Sequence, residues 1–161
     1  MDSVIRRMTD LGLVFESTVL GECVLSTDRS RVDVEVVHDY LSEQSYWAAN
    51  RSRDVVEASI RASLCVGAYG TAGEQLAFAR VVTDGATFGY LCDLFVLPGH
   101  QGGGLGKAVM QFIVDHPVVK SLGRLLLATS DAHGLYAKSG FTSLKDASKW
   151  MEMDPLQLRR N

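Results

Sequence analysis

Residues 98–110 read PGHQGGGLGKAVM, with glycines at 99, 102, 103, 104 and 106 opening into a lysine and an apolar run. Backbone N–H groups bared in this way, just ahead of a helix, converge at the positive end of the helix dipole. That arrangement binds phosphate without needing a basic surface. A side chain would block close approach of the ligand, and a turn this tight calls for positive φ, which glycine adopts without steric cost. Two phosphate motifs fail here. The G-x-x-x-x-G-K-[ST] loop would need glycine at 101 and a hydroxyl at 108, where the chain has Gln101 and Ala108. The G-x-G-x-x-G fingerprint starting at Gly102 would need glycine in place of Lys107. The other residues able to do chemistry close in on the same region: Asp93 is the one charge in the strand before the turn, and Asp131, His133 and Tyr136 follow within TSDAHGLY.

The elements that must position these groups follow from periodicity. Thr87 to Leu97 reads as a strand with Phe88, Tyr90, Cys92, Leu94 and Val96 on one face. Gly89, Leu91, Asp93, Phe95 and Leu97 fall on the other. Both faces are apolar, which predicts a central strand covered on both sides. Asp84-Gly85 and GTAGE read as turns linking it to strands at Leu76 to Thr83 and Cys65 to Tyr69. After the glycine turn, Leu105, Val109, Phe112 and Ile113 make the stripe of an amphipathic helix, which His116-Pro117 ends. Upstream, Ser26 to Arg31 is a polar loop. Helices are expected over Val34 to Leu41, with Asp33 as N-cap, and over Ser52 to Leu64. Downstream, Leu125 to Thr129 reads as a buried strand and Ala132 to Lys138 as a short helix stopped by Gly140. Phe141 to Leu144 and Trp150 to Met153 read as a last pair of strands, and PLQLRRN at the end matches no motif. The order predicts an α/β chain of the mixed-sheet kind with helices on both faces.

The 161 residues suit one domain, 1–161, and 47% apolar with 22% charged residues is ordinary for a globular protein. A net charge of −3 argues against nucleic acid or an anionic membrane as partner. No apolar run is long enough to cross a bilayer, and MDSVIRRMTD lacks the apolar stretch of a secretory signal, so a cytoplasmic protein is expected. Cys23, Cys65 and Cys92 are odd in number and widely spaced, as reduced thiols and not as a metal set; no metal is expected.

The pattern Gln101-Gly102-Gly103-Gly104-Leu105-Gly106 fits Gln/Arg-x-x-Gly-x-Gly/Ala. Ahead of it runs the hydrophobic–acidic–hydrophobic strand YLCDLFVLPGHQGGGLG. Some thirty residues on comes LYAKSGF, Leu135 to Phe141, similar to a Y-x-K-x-G-F segment. In these features, covering roughly Ala77 to Leu144, the sequence resembles the Gcn5-related N-acetyltransferase (GNAT) family, in its small-molecule type. The resemblance implies a mostly antiparallel mixed sheet of about six or seven strands flanked by helices and splayed between two central parallel strands. It implies acetyl-CoA as co-substrate, with the backbone of Gln101, Gly102, Gly103, Gly104, Leu105 and Gly106 holding the pyrophosphate and Lys107 adding charge. Phe95 and Val96 would offer main-chain hydrogen bonds to the pantetheine arm and the acetyl oxygen.

Within that frame Tyr136 is the general-acid candidate, because a phenol with a reference pKa near 10 is protonated at neutral pH and can give its proton to a departing thiolate. The competing role is packing a helix on the core. An amine acceptor must lose a proton before attack. Asp93 is one candidate base, since burial disfavours its charged form; pairing with Arg80 is the structural alternative. His133 has a convenient intrinsic pKa, and Asp131 either joins the site or caps the Ala132 helix. Tyr46 and Trp47 lie where the family roofs its acceptor pocket. Arg51 and Arg53 either meet a substrate carboxylate or form a solvated cluster. Asp93 and Asp131 together would favour a cationic small-molecule amine such as a polyamine, aminoglycoside or arylalkylamine. The alternatives are a non-catalytic acyl-CoA-binding module and a protein-lysine acetyltransferase. The chain is expected to be a monomer or homodimer.

Overall fold

The computed structural model describes residues 5–9 and 12–158. Seven strands lie in one sheet in sequence order: β1 (Ile5–Thr9), β2 (Gly12–Val19), β3 (Cys23–Ser26), β4 (Leu64–Tyr69), β5 (Gln75–Thr83), β6 (Phe88–Val96) and β7 (Arg124–Leu126). Every neighbouring pair is antiparallel except β6 and β7, which are parallel. A meander of this kind needs only short turns. The single parallel pair needs a crossover, which the helices between them supply.

One face of the sheet is covered by α1 (Val34–Asp39) and α2 (Arg53–Arg61), whose Val37, Val56 and Ile60 pack with Leu41 against Phe78 and Phe95. Asp33 caps α1 as its sequence position predicts, accepting from Val36 N at 3.2 Å. The chain then continues from α1 into a π-helical turn, Tyr40–Gln44, that lays the Tyr40 ring flat on Phe95 at 4.0 Å. The opposite face is covered by α3 (Leu105–Asp115) and α4 (Pro117–Ser121). Leu105, Val109, Met110 and Ile113 are buried there against Ala77, Ala79, Val81 and Leu91. Behind α3, His116 is buried and caps α4, and burial pushes its imidazole pKa down. The short α5 (His133–Ala137) follows β7.

Two expectations are corrected. Strict alternation along β6 fails at Asp93, which has φ +55 and sits where the pairing with β5 shifts between Phe78 and Arg80. One extra residue on β6 is a β-bulge, and past it the two faces exchange. Leu91 therefore packs under α3 while Phe95, four residues on, packs under α1 and α2. The second correction concerns the C-terminal segment. Phe141 to Leu144 and Trp150 to Met153 form no strands among the described residues. A 3-10 turn at Ala147–Lys149 and a short helix, α6 (Pro155–Leu158), lie there instead. Trp150 stays at the surface with the Arg124 guanidinium 5.2 Å over its ring, so the indole covers the sheet edge without extending it. Of the final PLQLRRN, residues 159–161 lie outside the described residues. No helix is long and apolar enough to cross a membrane.

Candidate active site

The pairing of β6 with β7 stops at Tyr90↔Leu126. Beyond that point β6 runs on to Val96 along β5, while the chain after Leu126 leaves it unpaired. The gap opens into a cavity of about 690 Å3, walled by Leu91 to Val96 on one side and by Ala128 to Ala132 with Leu135 and Tyr136 on the other. It runs from Gln101 and Gly106 at the glycine turn to Arg51, Arg80 and Tyr90 at its far end.

At the near end, Gly99, Gly102 and Gly104 all have φ between +80 and +88. Gly104 stands at the N-cap position of α3 with no side-chain cap, and open space lies over residues 99 and 102–104. Among the described residues the N–H groups of Gln101 to Lys107 donate to no protein acceptor. A run of free amides at the N-terminus of an eleven-residue helix suits a diphosphate by donor chemistry and by dipole. Two details modify the expected contacts. The Gln101 side chain folds back, its Nε2 donating to Val96 O at 2.9 Å, so that carbonyl is partly engaged. The Phe95 side chain belongs to the core under Tyr40, leaving only its strand segment on the cavity wall. Lys107 is exposed. Gly104→Ala forces a Cβ into the left-handed region at a cost of about 1–2 kcal/mol per L-residue, which the free loop can escape by relaxing. The dissociation constant of a diphosphate ligand held by this turn is therefore expected to rise by roughly five- to thirty-fold, read by titration calorimetry, and Gly104→Asn by less.

Tyr136 lines the cavity, half-buried on α5 with its ring edge-on to Phe141 at 6.0 Å. Burial pushes its pKa above the ordinary phenol value, with Tyr46, Asp131 and Cys92 adding in the same direction. Cys92, beside it on the cavity wall, is a thiol held at about 11, chiefly by burial.

The expected acid–base partners are not equivalent. Asp93 lines the cavity with its side chain 1% exposed, and its oxygens are occupied. Oδ2 accepts from Arg51 Nη1 at 2.8 Å and Arg80 Nε at 2.6 Å, and Oδ1 accepts from Trp47 Nε1 at 3.1 Å. This is the structural pairing with Arg80, extended by two donors. Asp93 is therefore no free negative charge for attracting a cationic acceptor. His133 is exposed and lines no part of the cavity. Asp131 does not cap α5: Ala132 N donates instead to Thr129 Oγ1 at 3.0 Å. Asp131 lies at the cavity mouth and accepts from the Tyr46 hydroxyl at 3.3 Å, while Ser130 Oγ donates to that same hydroxyl at 2.6 Å. Tyr46 thus straps the loop after α1 across to the loop after β7, and Trp47 stands edge-on to it at 5.1 Å. The aromatic pair does roof the cavity.

Sequence reasoning left Arg80 as a mere partner and gave Arg51 no settled role; both line the cavity. Arg53 turns outward and pairs with Glu57 and Glu35. The signal for Arg51 was its place four residues past Trp47 in the roof loop, but the bulge that brings Asp93 beneath that loop has no mark in the sequence.

A family model for the acetyltransferase (GNAT) domain matches residues 61–143, which include β4 to β7, the glycine turn and Tyr136. The chain belongs to the GNAT acetyltransferase family. Among GNAT relatives, a Gibberella zeae protein named as an acetyltransferase is 33% identical over 138 residues, covering 74% of this chain and 78% of its own. Serotonin N-acetyltransferase 2, chloroplastic, of Oryza sativa subsp. japonica is 35% identical over 63% of this chain, which spans about half the rice protein, 51%. A crystal structure of a Xanthomonas campestris pv. campestris protein assigned to the GNAT family superposes with TM-score 0.79 at 45% identity, covering 82% of this chain and 92% of that one. The GNAT sheet, mixed and splayed at its parallel pair, accounts for why cavity and glycine turn meet where they do.

Proposed function

We propose that this GNAT acetyltransferase, as one domain over 1–161, moves an acetyl group from acetyl-CoA to the primary amine of a small molecule by direct attack. The observation that carries this reading is one cavity lined by Gln101 and Gly106 of the glycine turn, by Tyr136, and by the polar far end under Tyr46 and Trp47. Acetyl-CoA supplies an activated thioester. The backbone of Gln101 to Gly106 holds its diphosphate, with Lys107 adding charge nearby, and the strand edge at Phe95 and Val96 guides the arm into the gap. The far end, under Tyr46 and Trp47, receives the acceptor.

As the amine nitrogen bonds to the carbonyl carbon and the carbon–sulfur bond breaks, Tyr136 gives its proton to the departing sulfur. Its raised pKa keeps that proton in place until then. Asp131, at the mouth and accessible, draws the acceptor's ammonium and passes its proton towards solvent. Asp93 acts by position: its two oxygens fix Arg51, Arg80 and Trp47. His133 takes no part. Cys92, as a thiol, is a poor nucleophile for a covalent relay, which supports direct transfer.

The reading is tested by thiol release from acetyl-CoA across a panel of primary amines. The expected result is turnover with at least one small amine, with no burst of bound acetyl, and a Cys92→Ala variant within about three-fold of wild-type kcat. Tight acetyl-CoA binding with no acceptor in the panel would favour a sensing module. A stoichiometric burst lost in Cys92→Ala would replace direct transfer by a covalent route.

A further inference from the structure

The far end of the cavity holds two guanidinium groups against one buried carboxylate. Arg51 and Arg80 both pair with Asp93, and among the described residues no other acidic group lies within ion-pair reach of either. The nearby acids are otherwise engaged: Glu35 and Glu57 pair with Arg53 on the outside, and Asp131 lies exposed at the mouth under Tyr46. The cluster therefore keeps one unbalanced positive charge in a half-enclosed space. The two arginines are not equally committed. Arg80 is the more buried, giving Nε to Asp93 and Nη1 to Ser63 Oγ at 3.2 Å. Arg51 keeps 23% of its side chain exposed on the cavity and gives Asp93 only Nη1. Its Nε and Nη2 hydrogens, the side-on edge of the guanidinium, have no hydrogen-bond partner among the described residues. That edge presents two parallel donors, the geometry that meets both oxygens of one carboxylate.

We propose that the acceptor amine carries a carboxylate and that Arg51 binds it through this free edge, with Arg80 and Asp93 as the support that holds Arg51 in place. The proposal rests on the acetyl-transfer reading and names its substrate class: amino acids and related amino-carboxylates. One monoanion balances the cluster, whereas a phosphate monoester in its dianionic form over-balances it and a second cationic group on the acceptor would face Arg51. The acceptor's ammonium then lies towards Asp131 and Tyr136 and its carboxylate towards Arg51, so the two charges of the acceptor meet separate groups on the cavity wall.

Binding is measured by calorimetry on the full chain saturated with non-acetylated coenzyme A, so that no turnover is needed. The probes are matched amines: 5-hydroxytryptophan against serotonin, phenylalanine against phenethylamine, and β-alanine against both ethylamine and phosphoethanolamine. In the best-binding pair the carboxylated member is expected to bind at least about ten-fold tighter. Arg51→Gln should remove that preference, and Arg51→Lys, keeping charge but losing the fork, should retain part of it. Equal or tighter binding of the decarboxylated members, no binding of any carboxylated amine at millimolar concentration, tighter binding of phosphoethanolamine than of β-alanine, or a preference unchanged in Arg51→Gln would each overturn the proposal. Because the wild-type comparison stands alone, a poorly folded variant does not shield it. Thiol release on the same panel separates the two readings: selective binding without turnover sinks acetyl transfer and leaves the subsite, and turnover indifferent to the carboxylate does the reverse.

Discussion

Tyr136→Phe is expected to lower kcat by about 10²- to 10⁴-fold, the range for a lost general acid, while the dissociation constant of acetyl-CoA stays within about two-fold. The split between the two constants is the informative part. The phenol sits on α5 across the gap from the strand edge, so deleting one hydroxyl leaves the glycine turn and its amides untouched. A phenylalanine keeps the edge-on contact with Phe141, so packing survives and only the proton is lost. The pH dependence follows from the same group. An acid catalyst is active while protonated, and its limb of the kcat profile falls as pH rises through its pKa. Burial, then Tyr46, Asp131 and Cys92, raise that pKa above the reference value of 10.0, so kcat should show no alkaline loss assignable to Tyr136 below about pH 10. A limb near pH 8 that vanishes in the phenylalanine variant would contradict the burial of the phenol. Unchanged kcat in Tyr136→Phe would remove it from the mechanism.

Asp93→Ala is expected to cost about 3–5 kcal/mol of stability, because it leaves two partly buried guanidinium groups facing each other without their carboxylate and strips the Trp47 indole of its acceptor. For a chain of this size that amounts to a fall in Tm of roughly 6–20 °C, read by calorimetry or circular dichroism. The left-handed backbone at Asp93 adds to the penalty, since aspartate tolerates that region better than alanine does. The same variant separates positioning from catalysis. A base lost from an otherwise intact site would lower kcat and leave the melting temperature near wild type. Loss of a positioning group lowers stability and disorders Arg51 and Trp47 together, so acceptor KM rises as well. A variant melting within about 1 °C of wild type would show that the ion cluster contributes nothing to the fold.

The loop and helices around the glycine turn were legible because each rests on local physics. A run of glycines, an i, i+4, i+7, i+8 stripe and an Asp at an N-cap need no distant partner to be read, and α3, α1 and the β4–β5–β6 hairpins lie where those signals put them. The first three strands were not read from the sequence. β1, β2 and β3 earn their strand character from pairing in series with β4, not from a sharp alternation of their own. The expected C-terminal strands failed for the converse reason: residues 142–156 are exposed throughout and find no sheet edge to pair with.

The sequence by itself determined that a glycine turn precedes α3, that a tyrosine lies a fixed distance beyond it, and that these belong to an acetyltransferase of the GNAT kind. Such facts are carried by residue type and spacing along the chain, which folding does not alter. Only the tertiary structure decided what the polar groups do. The extra residue at Asp93 exchanges the faces of β6 and turns a candidate base inward between Arg51 and Arg80. The end of pairing at Tyr90↔Leu126 opens the cavity, and the Tyr46 strap closes its roof. Those outcomes depend on partners 13 to 85 residues apart, brought together by sheet register. One inserted residue in a strand reverses every side chain after it, and no periodicity in the sequence announces where that happens.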